Sequence, residues 1–229
     1  MRPVIYNWPA ENPQALMVNQ TVTAPGNIPL NGPYGLQPFP GFSRTVTVSS
    51  STGAFPGFQF TITGLYQTQP LTVVFPSTAL VGGSFETTAY FDVVTSISIV
   101  STGGTFPLPP TFSAGWGVTG HTHYFVWNTY TNHPSSSTAV QVVVNGGGTI
   151  AYGCFGSLFD PSLVYPPTYL DGEPPTLPNS YLVNAVSTMA SGTTISAFGY
   201  ASLLNYIAIF VEAGQPGTNF TAIFCQQGI

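Results

Sequence analysis

The feature that most constrains this chain is a two-residue alternation of apolar side chains, interrupted every few residues by Gly or Pro. Val46 and Val48 share one face of TVTVSS, and Phe58, Phe60 and Ile62 repeat the pattern. So do Leu71, Val73 and Phe75; Ile97 and Ile99; Val140, Val142 and Val144; Ile207, Ile209 and Val211; and Phe220, Ala222 and Phe224. A period of two places successive side chains on opposite faces of a strand. No window keeps the helical spacing i, i+3, i+4, i+7 with charges opposite, and 22 prolines and 25 glycines punctuate the chain. Helix interiors tolerate neither residue well. The pattern predicts an all-β fold of two β-sandwich (jelly-roll-like) units with little or no helix.

Three Gly-rich segments, STGAFPG (51–57), NGGGT (145–149) and EAGQPGTN (212–219), each lie between strand patterns. They read as hairpin turns, with Gly supplying positive φ. The front pair TVTVSSSTGAFPGFQFTITG and the end pair YIAIFVEAGQPGTNFTAIFCQQG echo each other, which suggests two related β units. STGGTFPLPP (101–110) is the best linker between them, so the expected division is an arm at 1–14, one sandwich at 15–104 and a second at 105–229. The second carries a Pro-rich loop at 165–180, long enough to be functional or contact-making.

Charge is almost absent. Charged residues make up 4% of the 229, there is no lysine, and the basic residues are Arg2 and Arg44. An average soluble domain carries roughly 25%. The seven acids, Glu11, Glu86, Asp92, Asp160, Asp171, Glu173 and Glu212, leave a thinly spread net charge of −5. Nucleic-acid backbones and anionic membranes need clustered Lys and Arg, so neither is an expected partner. A chain 43% hydrophobic and 14% aromatic is not disordered. Its polar surface must be Thr, Ser, Asn and Gln, which desolvate at less cost than ammonium and carboxylate groups. No run of 18 apolar residues suggests a spanning helix. Pro3, Asn7 and Pro9 interrupt any apolar leader, so the expectation is synthesis in a cytoplasm.

The chain offers little chemistry. Cys154 and Cys225, in strand patterns, read as buried free thiols. His121 and His123 share a strand face, with His133 further on, but no acid or cysteine stands between 93 and 153 to complete a metal shell. The expected metal and cofactor complement is therefore none. Asp171 and Glu173 are close in sequence but lie in the Pro-rich loop, and read as solvated charges rather than a glycosidase pair. No G-x-S-x-G, no dinucleotide fingerprint and no P-loop lysine occurs. NQT (19–21) and NFT (219–221) match a glycosylation pattern that matters only in a eukaryotic secretory route. No catalytic residue is assigned.

Several strands are apolar on both faces: Val142, Val143 and Val144 are consecutive, and IAIFV and AIFC carry large side chains on alternate sides. One face fills a core; the other must meet another surface. The run ALMVNQTVTAPGNIPLNG, then SRTVTVSSSTGA, FQFTITGLYQTQPLTVVF and ETTAYFDVVTSISIVSTGG resembles a recurrent module of tailed-bacteriophage virion proteins. The segment HTHYFVWNTYTNHPSSSTAVQVVVNGGGTIAYGCFGSLFDP and the ending NYIAIFVEAGQPGTNFTAIFCQQGI resemble the same proteins, so the likeness covers roughly residues 15 to 229. It departs in having fewer Asp, Lys and Arg, which implies drier contacts.

The resemblance implies a non-enzymatic virion component made in the bacterial host. The preferred reading is a capsid decoration (cement) protein binding the major capsid protein as a homo-oligomer, a trimer. The alternative is a tail or receptor-binding protein recognising host-surface glycan; a third class is a wall-degrading hydrolase. The candidate interface residues are Val4, Ile5, Tyr6 and Trp8, large anchors on a segment (4–13) with no evident strand partner, and Tyr165, Tyr169 and Leu170 of the Pro-rich loop.

Overall fold

A computed structural model of the chain describes residues 4–106, 109–122, 125–126, 137–145, 148–157, 181–190, 196–200, 206–214 and 217–227. The fold is all-β, as the alternation predicts. In chain order the strands are β1 (Val4–Trp8), β2 (Asn12–Thr21), β3 (Gly26–Ile28), β4 (Phe42–Ser50), β5 (Phe58–Tyr66), β6 (Gln69–Pro76), β7 (Ser84–Glu86) and β8 (Val93–Ser101). Then come β9 (Thr111–Thr122), β10 (Phe125–Val126), β11 (Ser137–Asn145), β12 (Thr149–Ser157), β13 (Tyr181–Ala190), β14 (Ser196–Tyr200), β15 (Tyr206–Gly214) and β16 (Asn219–Gln227). Two single 3-10 turns, Ser77–Ala79 and Val81–Gly83, are the helical content among the described residues.

The described residues form two compact units, one made of 12–117 and the other of the described residues before 12 and after 117. In the 12–117 unit one sheet has the order β3-β8-β5-β6. The other sets β4 between β9 and β7, with β2 also paired to β9. Aromatic side chains fill the space between: Phe60 meets Phe112 edge-on at 5.2 Å, Phe75 stacks on Phe85 at 4.0 Å, and Trp116 contacts Phe39 and Phe42, both at 5.3 Å. Such pairs add to the burial of large apolar rings.

In the other unit one sheet runs β1-β16-β11-β14 and the second includes β13-β12-β15, with β10 paired to β15. The alternation sets the faces. Val140, Val142 and Val144 of β11 pair with Phe224, Ala222 and Phe220 of β16, and all six are buried.

Three sequence expectations need correction. The division falls at 11/12 and 117/118, not near 105. Residues 101–106 are not a linker: the N–H groups of Thr102 and Gly104 both donate to the Gly57 carbonyl, and Phe106 stacks on Phe58 at 4.2 Å. β9 then supplies Phe112, Ala114 and Trp116 to the same core.

The three Gly-rich segments are not hairpins either. β4 and β5, β11 and β12, and β15 and β16 each belong to different sheets. Each segment carries the chain from one layer of a sandwich to the other. Phe55, inside STGAFPG, is buried against Phe58 and Phe112 at 5.5 and 6.1 Å, which holds that crossing closed. A true hairpin joins β5 to β6, and its central residues, Gln67 (φ 48°) and Thr68 (φ 66°), have the two positive φ angles of a type I′ turn without a glycine.

The third correction concerns 4–13. The segment is not an unpaired arm: β1 is an edge strand paired antiparallel to β16, from Val4↔Phe224 to Trp8↔Phe220.

Candidate functional site

Three of the ionisable groups among the described residues, Arg44, Glu86 and Asp92, take part in the framework. Arg44 is 1% exposed on β4, with its guanidinium carbon 5.1 Å from the Phe42 ring centroid. Its backbone exchanges two hydrogen bonds with Phe91, donating at 3.0 Å and accepting at 2.8 Å. The flanking residues hold the nearby acids: Ser43 Oγ donates to Asp92 Oδ1, and Thr45 Oγ1 donates to Glu86 Oε1. Asp92 Oδ2 also accepts the N–H of Gln67 at 2.6 Å, tying the β5–β6 turn to β4. A carboxylate bound by backbone N–H and hydroxyl groups is a structural brace.

His121 is buried, with Nδ1 2.8 Å from the carbonyl of Thr122. His123, His133, Asp160, Asp171 and Glu173 lie outside the described residues. Among the described residues no group of three His, Cys, Asp or Glu is placed to hold a metal ion. Cys225 is exposed, not buried as its strand pattern suggests. Phe224 takes the inward face, so the next residue must point out.

Two outward sheet faces are neutral among the described residues. On the β1-β16-β11 sheet the register sets Ile5 beside Ile223 and Ile223 beside Gln141. Asn7 accepts a 3.2 Å hydrogen bond from Thr221, whose other neighbour is Val143. Ile5 is 54% exposed and Ile223 and Val143 are half-buried. No charged side chain stands among the described residues of this face.

The outer face of the β3-β8-β5-β6 sheet has the same character. Thr61 sits between Val74 and Ser98, and Gln59 between Pro76 and Val100; Val74 is 50% and Val100 51% exposed. Pro70 and Pro76 lie on β6, the edge of that sheet. Proline is tolerated on an edge strand and blunts it against further pairing.

The sequence-predicted interface residues part company here. Ile5 is on the outer face, and Val4, 37% exposed, is at the edge. Tyr6 is half-buried and meets Phe224 edge-on at 5.5 Å; burial raises its phenol pKa above the ordinary value. Trp8 is a core residue, 1% exposed and stacked on Phe220 at 5.4 Å. Tyr165, Tyr169 and Leu170 lie outside the described residues. The outward Val74 and Val100 were not singled out from sequence, although the adjacent valines of LTVVF carry the same two-faced signal as Val142–Val144.

Comparison with protein-family models, with curated proteins and with solved structures finds no match.

Proposed function

We propose that this chain is a non-enzymatic structural protein of a bacteriophage virion, and that it decorates the outer capsid shell as a homo-oligomer, a trimer. The observation that carries the reading is the neutral, partly apolar outer face of β1, β16 and β11, where Ile5, Ile223 and Val143 lie among Asn, Gln and Thr. A partner covering that face removes apolar area from water without stripping hydration from ions. The order of strand motifs that resembles phage virion proteins supports the same reading.

In this role the protein acts by binding. A molecule that binds the assembled shell but not its separated subunits stabilises the shell by mass action. Quantitative mass spectrometry of purified virions carrying the chain tests the proposal. A copy number comparable with that of the major capsid protein is the expected result. Absence from the particle would overturn the virion reading, and a handful of copies per particle would overturn decoration in favour of a tail component.

A further inference from the structure

We infer that the 12–117 unit carries a binding site for a neutral, polyhydroxylated ligand, a saccharide residue, in the open depression between β2, β9 and the end of β4. The depression has a volume of about 280 Å³, and its lining includes Gln14, Asn19, Ser49, Ser51, Thr111 and Ser113 together with Pro13 and Ser50. The inference is independent of the decoration reading.

Two irregularities in β2 shape the place. Between Asn12↔Trp116 and Met17↔Ala114, β2 spends five residues against two of β9; between Met17↔Ala114 and Gln20↔Phe112 it spends three against two. Bulges of this kind lift a strand and re-aim its side chains. The second sets Asn19 at φ 43°, a conformation Asn accepts better than most residues. Ser113 Oγ fixes it there, accepting from the Asn19 N–H and donating to Asn19 Oδ1, both at 3.1 Å. With Oδ1 engaged, the Asn19 amide retains its two N–H donors.

The lining has further unspent capacity. Ser49 Oγ donates to the Ser113 carbonyl at 3.4 Å, and Ser51 Oγ accepts the Thr111 N–H at 3.0 Å, leaving the Ser51 hydroxyl proton available. The side chains of Gln14 and Thr111 make no hydrogen bond among the described residues. The depression therefore offers amide donors and an amide acceptor from Gln14, amide donors from Asn19, and hydroxyls from Ser51 and Thr111.

The chemistry of that set selects the ligand class. No cation is present for a phosphate or carboxylate, which charge-assisted pairing with Arg or Lys would hold. No carboxylate is present for a metal ion. Pro13 is the one apolar residue of the lining, and the remaining carbon surface belongs to the Ser, Thr, Asn and Gln residues, a mixture suited to a ligand with both C–H faces and hydroxyls. Neutral donors and acceptors in mixed order match the hydroxyls of a sugar ring. With no aromatic platform, binding rests on hydrogen bonds exchanged with water, so a single ring should bind in the millimolar range.

The test is a two-dimensional amide NMR titration of the full chain with methyl α-glucoside, methyl β-galactoside and N-acetylglucosamine, with sodium phosphate as a charged control. Saturable shifts at the lining residues with at least one sugar are expected. The Gln14→Leu/Thr111→Val double variant changes only side chains without internal partners, so its melting temperature should match the parent. Its sugar affinity should fall about tenfold, the worth of one or two net hydrogen bonds. The inference fails if no sugar gives saturable shifts, if the shifts lie elsewhere, if the double variant binds as well as the parent, or if phosphate binds more tightly than every sugar.

Discussion

Trp8→Ala separates a core strand from a docking arm. Trp8 is 1% exposed, stacked on Phe220 at 5.4 Å, and β1 is held by five paired residues to β16. Truncating a buried Trp to Ala costs about 3–5 kcal/mol, a total that includes the cavity left behind. Ile5, three residues earlier and 54% exposed, points the other way. Surface substitutions such as Ile5→Ser stay within about 0.5 kcal/mol. For a chain of this length, 1 kcal/mol moves the melting temperature by about 2–4 °C. Trp8→Ala should therefore lower the transition of its unit by about 6–20 °C, and Ile5→Ser by about 2 °C or less. Far-UV circular dichroism melts at low protein concentration, where association does not contribute, measure both. A Trp8→Ala protein that melts with the parent, or an Ile5→Ser protein that loses as much as Trp8→Ala, refutes the assignment of β1 to the core. Deleting residues 1–13 removes a core strand and reports folding rather than docking. Ile5→Lys is the variant that tests docking: it should weaken oligomer formation or capsid binding while leaving the melt in place.

Other perturbations probe the rest of the framework. Arg44→Ala, which empties a fully buried site beside Phe42, should cost about 2–5 kcal/mol in urea unfolding. Arg44→Met, of similar volume, refills the space but strands the groups the guanidinium holds, so its stability should fall between the parent and Ala; a Met variant as stable as the parent would contradict this. Gly57 sits at φ 81°, and a Cβ there would lie 2.4 Å from the Gly104 Cα, whereas Gly53 at φ 68° faces open space. Gly57→Ala should therefore lower the urea midpoint clearly more than Gly53→Ala, which carries only the left-handed penalty of roughly 1–2 kcal/mol. Burial raises the Tyr6 phenol above its reference of 10.0, so the folded state holds that proton longer than the unfolded chain does. Its contribution is intact below pH 10 and is lost as pH rises toward the folded value. Tyr6→Phe should flatten part of the alkaline fall in stability measured by denaturant titration.

The strands were legible because one face of each is dry: Val46 and Val48, Phe60 and Ile62, Ile97 and Ile99, Phe220 and Phe224 are all buried. Strand order was not legible, because a local turn signal does not say which layer the next strand joins. STGAFPG has the glycines of a hairpin but buries Phe55 between layers, while the real β5–β6 hairpin turns at Gln67 and Thr68 with no glycine to mark it. Its stability comes from a partner distant in sequence, the Asp92 carboxylate on the Gln67 N–H. Trp8 was misread for a related reason. Pro9 and Pro13 make the segment look detached, and the strand it joins lies more than two hundred residues away. The outward direction of Cys225 follows from the alternation, but only once Phe224 is known to face the core.

The placement of the few charges bears on the surfaces left behind. A solvated ion usually lies on the outside, where it keeps a sheet face soluble and discourages edge pairing. Here Arg44 is internal, while the half-buried Asp92 and the exposed Glu86 hold the hydroxyls of Ser43 and Thr45 on either side of it. The described outer faces of β1-β16-β11 and β3-β8-β5-β6 depend on Thr, Ser, Asn and Gln for solubility, with Pro70 and Pro76 blunting the β6 edge. Such a surface repels little and desolvates at low cost, so it tolerates a close neighbour of almost any neutral shape. Specificity must then come from shape and hydrogen-bond register rather than from charge. If the reading is right, occupancy on the particle should vary little between low and high salt, because few ion pairs are available to screen. A steep loss of bound copies at high ionic strength would show instead that the docking surface lies on the acidic residues and not on the neutral sheet around Ile5.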